Sequence, residues 1–206
     1  MRREQIKDLI LGRILDGVYS PGERLVETKI AQELGVSQTS IREALRDLEH
    51  LGCVIYEPYR GCSVRQFSSD ELLEAFPVRA AIEGLAARFA ASHMDDAELA
   101  ELERLYKEML ACGERGDAHA QSRADTAFHQ AIARGSGNAT LERQWEVLEP
   151  YYRALITVER TGTDLVVLSE EHLPVLEALK EHDGEKAAAA VEGHLLHAAE
   201  LLAKSS

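Results

Sequence analysis

Apolar residues recur at helical spacing through most of this 206-residue chain, a tight Gly35-Val36-Ser37 turn joins two short helical runs, and one β-prone stretch lies between residues 53 and 65. Together these features specify a mainly α protein, an N-terminal winged helix-turn-helix followed by an antiparallel six-helix bundle. The expected division is residues 1–66 for the first domain, 67–69 for a linker and 70–206 for the all-α second domain.

Each N-terminal element follows from its own residues. Ile6, Leu9, Ile10, Ile14 and Leu15 mark a first helix over 3–16, stopped by Asp16-Gly17 and the Ser20-Pro21-Gly22 turn. A second helix, 27–34, turns Ile30, Ala31 and Leu34 inward and ends at Gly35, which suits the left-handed position after a helix. Ser37 then caps a third, whose apolar face is Ile41, Ala44, Leu45, Leu48 and Leu51. Cys53–Tyr56 and Cys62–Arg65 flank the turn-like Glu57-Pro58-Tyr59-Arg60-Gly61, giving a two-stranded hairpin.

Charge divides along the same line. The formal net charge of −13 excludes a wholly basic nucleic-acid binder. Residues 1–66 nevertheless hold ten basic and ten acidic side chains, leaving 13 basic against 26 acidic in the remainder. That acidic field repels a polyanion, so contact with nucleic acid belongs to the N-terminal part. Three cysteines, Cys53, Cys62 and Cys112, show no CxxC spacing and fit reduced thiols in a cytoplasmic protein. No run approaches the roughly 18 apolar residues of a membrane span, and no export signal opens the chain, so no membrane contact is expected.

Opposite the apolar face of the third helix lie Gln38, Thr39, Arg42, Glu43 and Arg46. Gln and Arg can read base edges in the major groove of double-stranded DNA, while Thr39 and Arg46 suit phosphates. Arg42 and Arg46 could instead pair with Glu43, Asp47 or Glu49 on a solvated helix. The run PGERLVETKIAQELGVSQTSIREALRDLEHLGCVIYEPYRGCSV resembles the winged helix-turn-helix domain of the GntR family of bacterial transcription regulators. The resemblance implies operator contacts from Gln38, Thr39, Ser40, Arg42 and Arg46, and from Arg60 and Gly61 on the wing. Family members commonly carry Arg at the position of Gln38 and Pro at that of Ser40, which implies one charged contact fewer and a different preferred operator.

The second part reads as six helices, at 70–92, 95–115, 117–134, 138–160, 165–182 and 184–203, separated by Asp, Gly and Asn breaks. Ser68 and Glu71 form a capping box for the first, and Pro77 should kink it or mark its true start just before Arg79. Asp125 and His129, four apart, share one helix face among Ala124, Ala127, Phe128 and Ile132. His172 and His194 fall in apolar stretches, where an imidazole needs a partner. Three neutral imidazoles and one carboxylate suit Zn²⁺, Ni²⁺ or Mn²⁺. By spacing alone, Asp with His four residues later is more often a surface pair.

Asp125-Thr-Ala-Phe-His129, Gly135-Ser-Gly-Asn138, Glu171-His172 and His194-Leu195, with Arg79 and Glu83 in Val-Arg-Ala-Ala-Ile-Glu, resemble the FCD ligand-sensing domain of the FadR subfamily, in its shorter VanR-like branch. The resemblance covers 70–203 and implies a divalent ion, Zn²⁺ foremost, on Asp125, His129, His172 and His194. It implies also a small organic acid whose carboxylate reaches the metal and an arginine. Arg79 is the first candidate for that arginine, with an intrahelical pair to Glu83 as the alternative, and Arg153 the second. His197 is a substitute ligand or a support for one, while His50, His93, His119 and His182 are expected to face solvent. The function expected is a homodimeric, ligand-responsive repressor meeting two half-sites of an operator. Three alternatives stay open, a regulator whose effector is the ion itself, a purely structural metal, and a metal-dependent hydrolase-like enzyme.

Overall fold

The computed structural model describes residues 2–50, 52–148, 154, 157, 158 and 161–205. The chain divides into two compact units, Met1–Phe67 and Ser68–Ser206.

In the first unit, α1 (Arg3–Leu15) buries Ile6, Ile10 and Ile14, one residue per turn. Helix α2 (Glu27–Leu34) closes at Gly35, whose φ of 63° lets the Val36 amide donate to Ala31 O at 3.1 Å. Helix α3 (Gln38–His50) starts where Ser37 Oγ accepts from the Ser40 amide at 3.1 Å, and it buries Ile41, Ala44, Leu45 and Leu48. Strands β2 (Val54–Glu57) and β3 (Gly61–Val64) pair antiparallel from Val54↔Val64 to Glu57↔Gly61. A further strand, β1 (Arg24–Leu25), pairs with the other edge of β3 through Arg24↔Ser63 and Leu25↔Cys62. The wing is thus a three-stranded sheet in the order β1-β3-β2, not the expected hairpin alone. Two residues are too few to display alternation, so only the partner strand reveals β1. Leu25, Val54, Cys62, Val64 and Phe67 join the helical core of this unit.

The second unit opens with α4 (Ser69–His93), capped by the reciprocal Ser68–Glu71 box. Pro77 lies inside this continuous helix, and the start expected just before Arg79 is not used. Helices α5 (Asp96–Glu114), α6 (Ala118–Gly135) and α7 (Ala139–Val147) follow, begun by Asp95, Asp117 and Asn138, whose carboxylate or amide oxygens accept the first free amides. The helix expected over 165–182 is two: α8 (Leu165–Glu170) and α9 (Leu173–Lys180), parted at Glu171-His172. Pro174, near the start of α9, has no amide hydrogen to lose to that break. Of the helix expected over 138–160, α7 covers 139–147, and 149–153, 155, 156, 159 and 160 lie outside the described residues; the last helix is α10 (Gly184–Ser205). No helix among the described residues is long and apolar enough to cross a membrane.

Candidate functional site

On the first unit, Gln38, Thr39, Arg42 and Arg46 are exposed on α3, and Ser40 is half-exposed with its Oγ 2.8 Å from Ser37 Oγ. Gly61 begins β3 at φ 84°, a value that favours glycine, and Arg60 beside it is exposed, 3.5 Å from Glu57. Arg42 does not pair with Glu43, Asp47 or Glu49. Its Nη2 and Nε donate to Glu27 Oε2 at 2.8 and 3.1 Å. Gln38 Nε2 donates to the same oxygen at 2.9 Å, and the Tyr56 hydroxyl to Oε1 at 3.2 Å. The hydrogen bond from Arg42 outweighs partial burial and holds the Glu27 carboxyl below its ordinary range. Glu27 escaped sequence reasoning because its partners stand 11, 15 and 29 residues away.

The second unit gathers the four metal-ligand candidates. Asp125 and His129 project from α6, His172 sits at the α8–α9 break and His194 on α10, and one donor atom from each lies within 4.8 Å of the others. His172 Nε2 stands 3.1 Å from Asp125 Oδ1 and 3.2 Å from His129 Nε2. Two imidazoles present Nδ1 to an acceptor, His172 to Leu168 O at 3.1 Å and His194 to Glu171 Oε2 at 3.1 Å, while His129 Nδ1 makes a 2.6 Å charge contact with Glu83 Oε2 outside hydrogen-bond direction. The His129–His172 contact is satisfied by a proton on one Nε2 or, with both protons on Nδ1, by a cation between the two lone pairs. Donors roughly 2.0–2.1 Å from one tetrahedral ion stand about 3.3 Å apart, so the two spacings fit a divalent ion.

The cluster is strongly coupled electrostatically. Burial would raise the Asp125 carboxyl, but the bond from His172 and the fields of His129, His172 and His194 hold it below the carboxylate range. Burial of Glu83 is likewise outweighed, by Arg79 and His129, which bring it to about 2. Burial lowers His129, yet Glu83 and Asp125 prevail and raise it. For His194 burial and the neighbouring His172 win over Glu171 and bring it to about 4.

Asp125, His129 and His194 line a cavity together with Phe76, Arg79 and Gln121. Arg79 is 4% exposed, and its Nε donates to Glu83 Oε1 at 2.8 Å. It thus makes the intrahelical pair and faces the cavity at once. Glu83 does not line the cavity, since one oxygen takes Arg79 and the other lies against His129. His197 stands off the cluster, its Nδ1 2.7 Å from Glu171 Oε1, so Glu171 carries both α10 histidines. Gln121, one turn before Asp125, was missed although the spacing offered it, and its Oε1 is buried without a partner. Arg153 lies outside the described residues. Of the remaining histidines His50, His93 and His182 are exposed, whereas His119 is half-buried.

Residues 2–64 match the family described as bacterial regulatory proteins, gntR family, and residues 74–197 match the FCD domain. The chain is 34% identical over 191 residues to the probable D-xylose utilization operon transcriptional repressor of Paenarthrobacter nicotinovorans, covering 93% of this chain and 84% of the relative. It is 26% identical over 196 residues to the HTH-type transcriptional repressor RspR of Escherichia coli K12, covering 93% and 85%. Among solved structures, E. coli McbR/YncC superposes with a TM-score of 0.82 at 24% identity, over 98% of this chain and 97% of that one. A GntR regulator from Rhodococcus sp. RHA1 gives 0.83 at 21%, over 99% and 98%. These two likenesses speak to the fold.

Proposed function

This chain belongs to the gntR family of bacterial regulatory proteins and is a transcription regulator, not an enzyme, with a DNA-binding domain and an FCD domain; from that premise we propose a cytoplasmic, homodimeric repressor released from its operator by a small organic acid. The observation that carries the reading is the convergence of three imidazoles and the Asp125 carboxylate on one point beside the free edge of Arg79.

Asp125, His129, His172 and His194 would hold a divalent ion, Zn²⁺ foremost with Ni²⁺ or Mn²⁺ as alternatives, which supplies Lewis-acid attraction for an anionic oxygen when bound. Arg79 spends Nε on Glu83 and keeps its two amino groups for a carboxylate, the fork geometry that suits bidentate recognition. Glu83 fixes Arg79 and His129 together, so the arginine and one ligand are set by the same carboxylate. Glu171 aims His194 in the same way. On the first unit, Gln38 and Arg42 read base edges while Thr39, Ser40, Arg46, Arg60 and the Gly61 backbone set the register on phosphates. Two such units on a two-fold axis meet two half-sites.

A thermal melt of the purified protein against mono-, di- and tricarboxylates, each with and without a chelator, tests the reading. One acid should stabilise the protein by about 2.7 kcal/mol at 100 times its dissociation constant, and chelator should abolish the gain. No response to any acid, with a large fall on chelation alone, would overturn the acid effector in favour of a structural or sensed ion.

A further inference from the structure

The carboxylate of Glu27 occupies the middle of the proposed DNA-reading face without being placed to read DNA itself. Its side chain is only 16% exposed, and its two oxygens are occupied by Gln38, Arg42 and Tyr56. Those three donors come from two places that both belong to the reading face, helix α3 and wing strand β2, while Glu27 opens α2. One half-buried acceptor therefore ties together three elements at their exposed edge.

What this does to the donors is specific. Arg42 gives Glu27 its Nε–Nη2 edge, so Nη1 and the second hydrogen of Nη2 remain, a pair of parallel donors matched to guanine O6 and N7. Gln38 gives one amide hydrogen and keeps the other beside its Oε1, the donor and acceptor pair that matches adenine N7 and N6. An unrestrained arginine would pivot to the nearest phosphate, where attraction is strong and independent of sequence. A neighbouring carboxylate makes that choice less favourable by offsetting the charge and holding the plane of the guanidinium.

We infer that Glu27 is a specificity-determining positioning residue, which presents the free edges of Arg42 and Gln38 to bases and withholds Arg42 from the phosphates. The inference rests on the groove assignment made above for Arg42 and Gln38. Partial burial of Glu27 and its hydrogen bonds to two neighbouring elements set it apart from an ordinary surface ion pair, whose worth is small and whose geometry is loose.

The test is enrichment of a random double-stranded DNA library by the full chain, followed by affinity measurement on the enriched duplex and a scrambled one across a salt series. For Glu27→Gln, which keeps shape and removes charge, the specific-to-scrambled ratio should fall roughly tenfold, and scrambled duplex should bind as well as before or better. The salt slope on scrambled duplex should steepen by about one phosphate contact. In an Arg42→Lys background, which keeps the charge and loses the fork held by Glu27, the same change should cost less than half as much, the mark of two residues acting as a unit. A variant that melts like wild type and keeps its ratio within about twofold overturns the inference, as does an equal loss in both backgrounds. Should Glu27→Gln fail to fold, Tyr56→Phe removes one anchor of the carboxylate and should lower the ratio by a smaller factor; an unchanged ratio overturns the inference equally. A wild type that enriches no motif at all would instead overturn the groove assignment and this inference with it.

Discussion

At the scale of single residues, three carboxylates hold the side chains on which the two proposed sites rest. Glu27 does so for Arg42 and Gln38, Glu83 for Arg79 and His129, and Glu171 for His194 and His197. Replacing Glu83 with Gln should weaken metal binding about 10- to 100-fold while the ligands themselves are untouched, measured by competition with a chromophoric chelator. Arg42→Ala should abolish preference for the operator yet leave the melt and the metal content as in wild type, and operator affinity retained in that variant would contradict the groove assignment. Ligand candidates were legible because Asp125 and His129 fall on one helical face and His172 and His194 sit in apolar surroundings. The organising carboxylates were less so: Glu83 showed only its i,i+4 relation to Arg79, and Glu27 acts across three elements that meet only in the fold. Thiol chemistry belongs to this scale as well. Burial pushes the Cys62 thiol up to about 12, so iodoacetamide at pH 8 should leave it unmodified in the native protein and label it after denaturation.

At the scale of elements, periodicity and caps placed most helices, because each apolar stripe and each Asp, Asn or Ser at a helix start acts locally. Strand β1 and the break at Glu171-His172 lay beyond that reach, the first needing its partner strand and the second a local turn inside an otherwise helical apolar run. Two glycines in helices separate local preference from packing. At Gly12 an added Cβ meets nothing within 4 Å, so Gly12→Ala should stabilise by about 1 kcal/mol through helix propensity alone. At Gly184, where α10 begins against α4, the same atom would lie 2.7 Å from the backbone oxygen of Arg88. Backbone cannot swing aside as a side chain does, so Gly184→Ala should cost about 1–3 kcal/mol despite alanine's better propensity. Urea midpoints of the two variants should therefore move in opposite directions.

At the scale of the whole molecule, the proposed function demands that two events on separate units share free energy. Whatever factor the acid takes from operator affinity, the operator must take from acid affinity, and a coupling of about 5- to 150-fold is the usual range. Titrating the acid by calorimetry with and without saturating operator duplex checks this, and equal affinities would sink the regulatory link. The acidic excess of residues 67–206, plain from the sequence, bears on a different matter, how the protein searches a genome. Within the first unit Arg3, Lys7, Arg13, Arg42 and Arg60, at least half of its ten basic side chains, already have carboxylate partners on the protein. Carboxylates beside these cations weaken their grip on an arbitrary stretch of duplex, so fewer copies are held up on the vast excess of competing sites. A regulator built this way leaves more of its copies free to reach an operator than one whose cations are all unpaired.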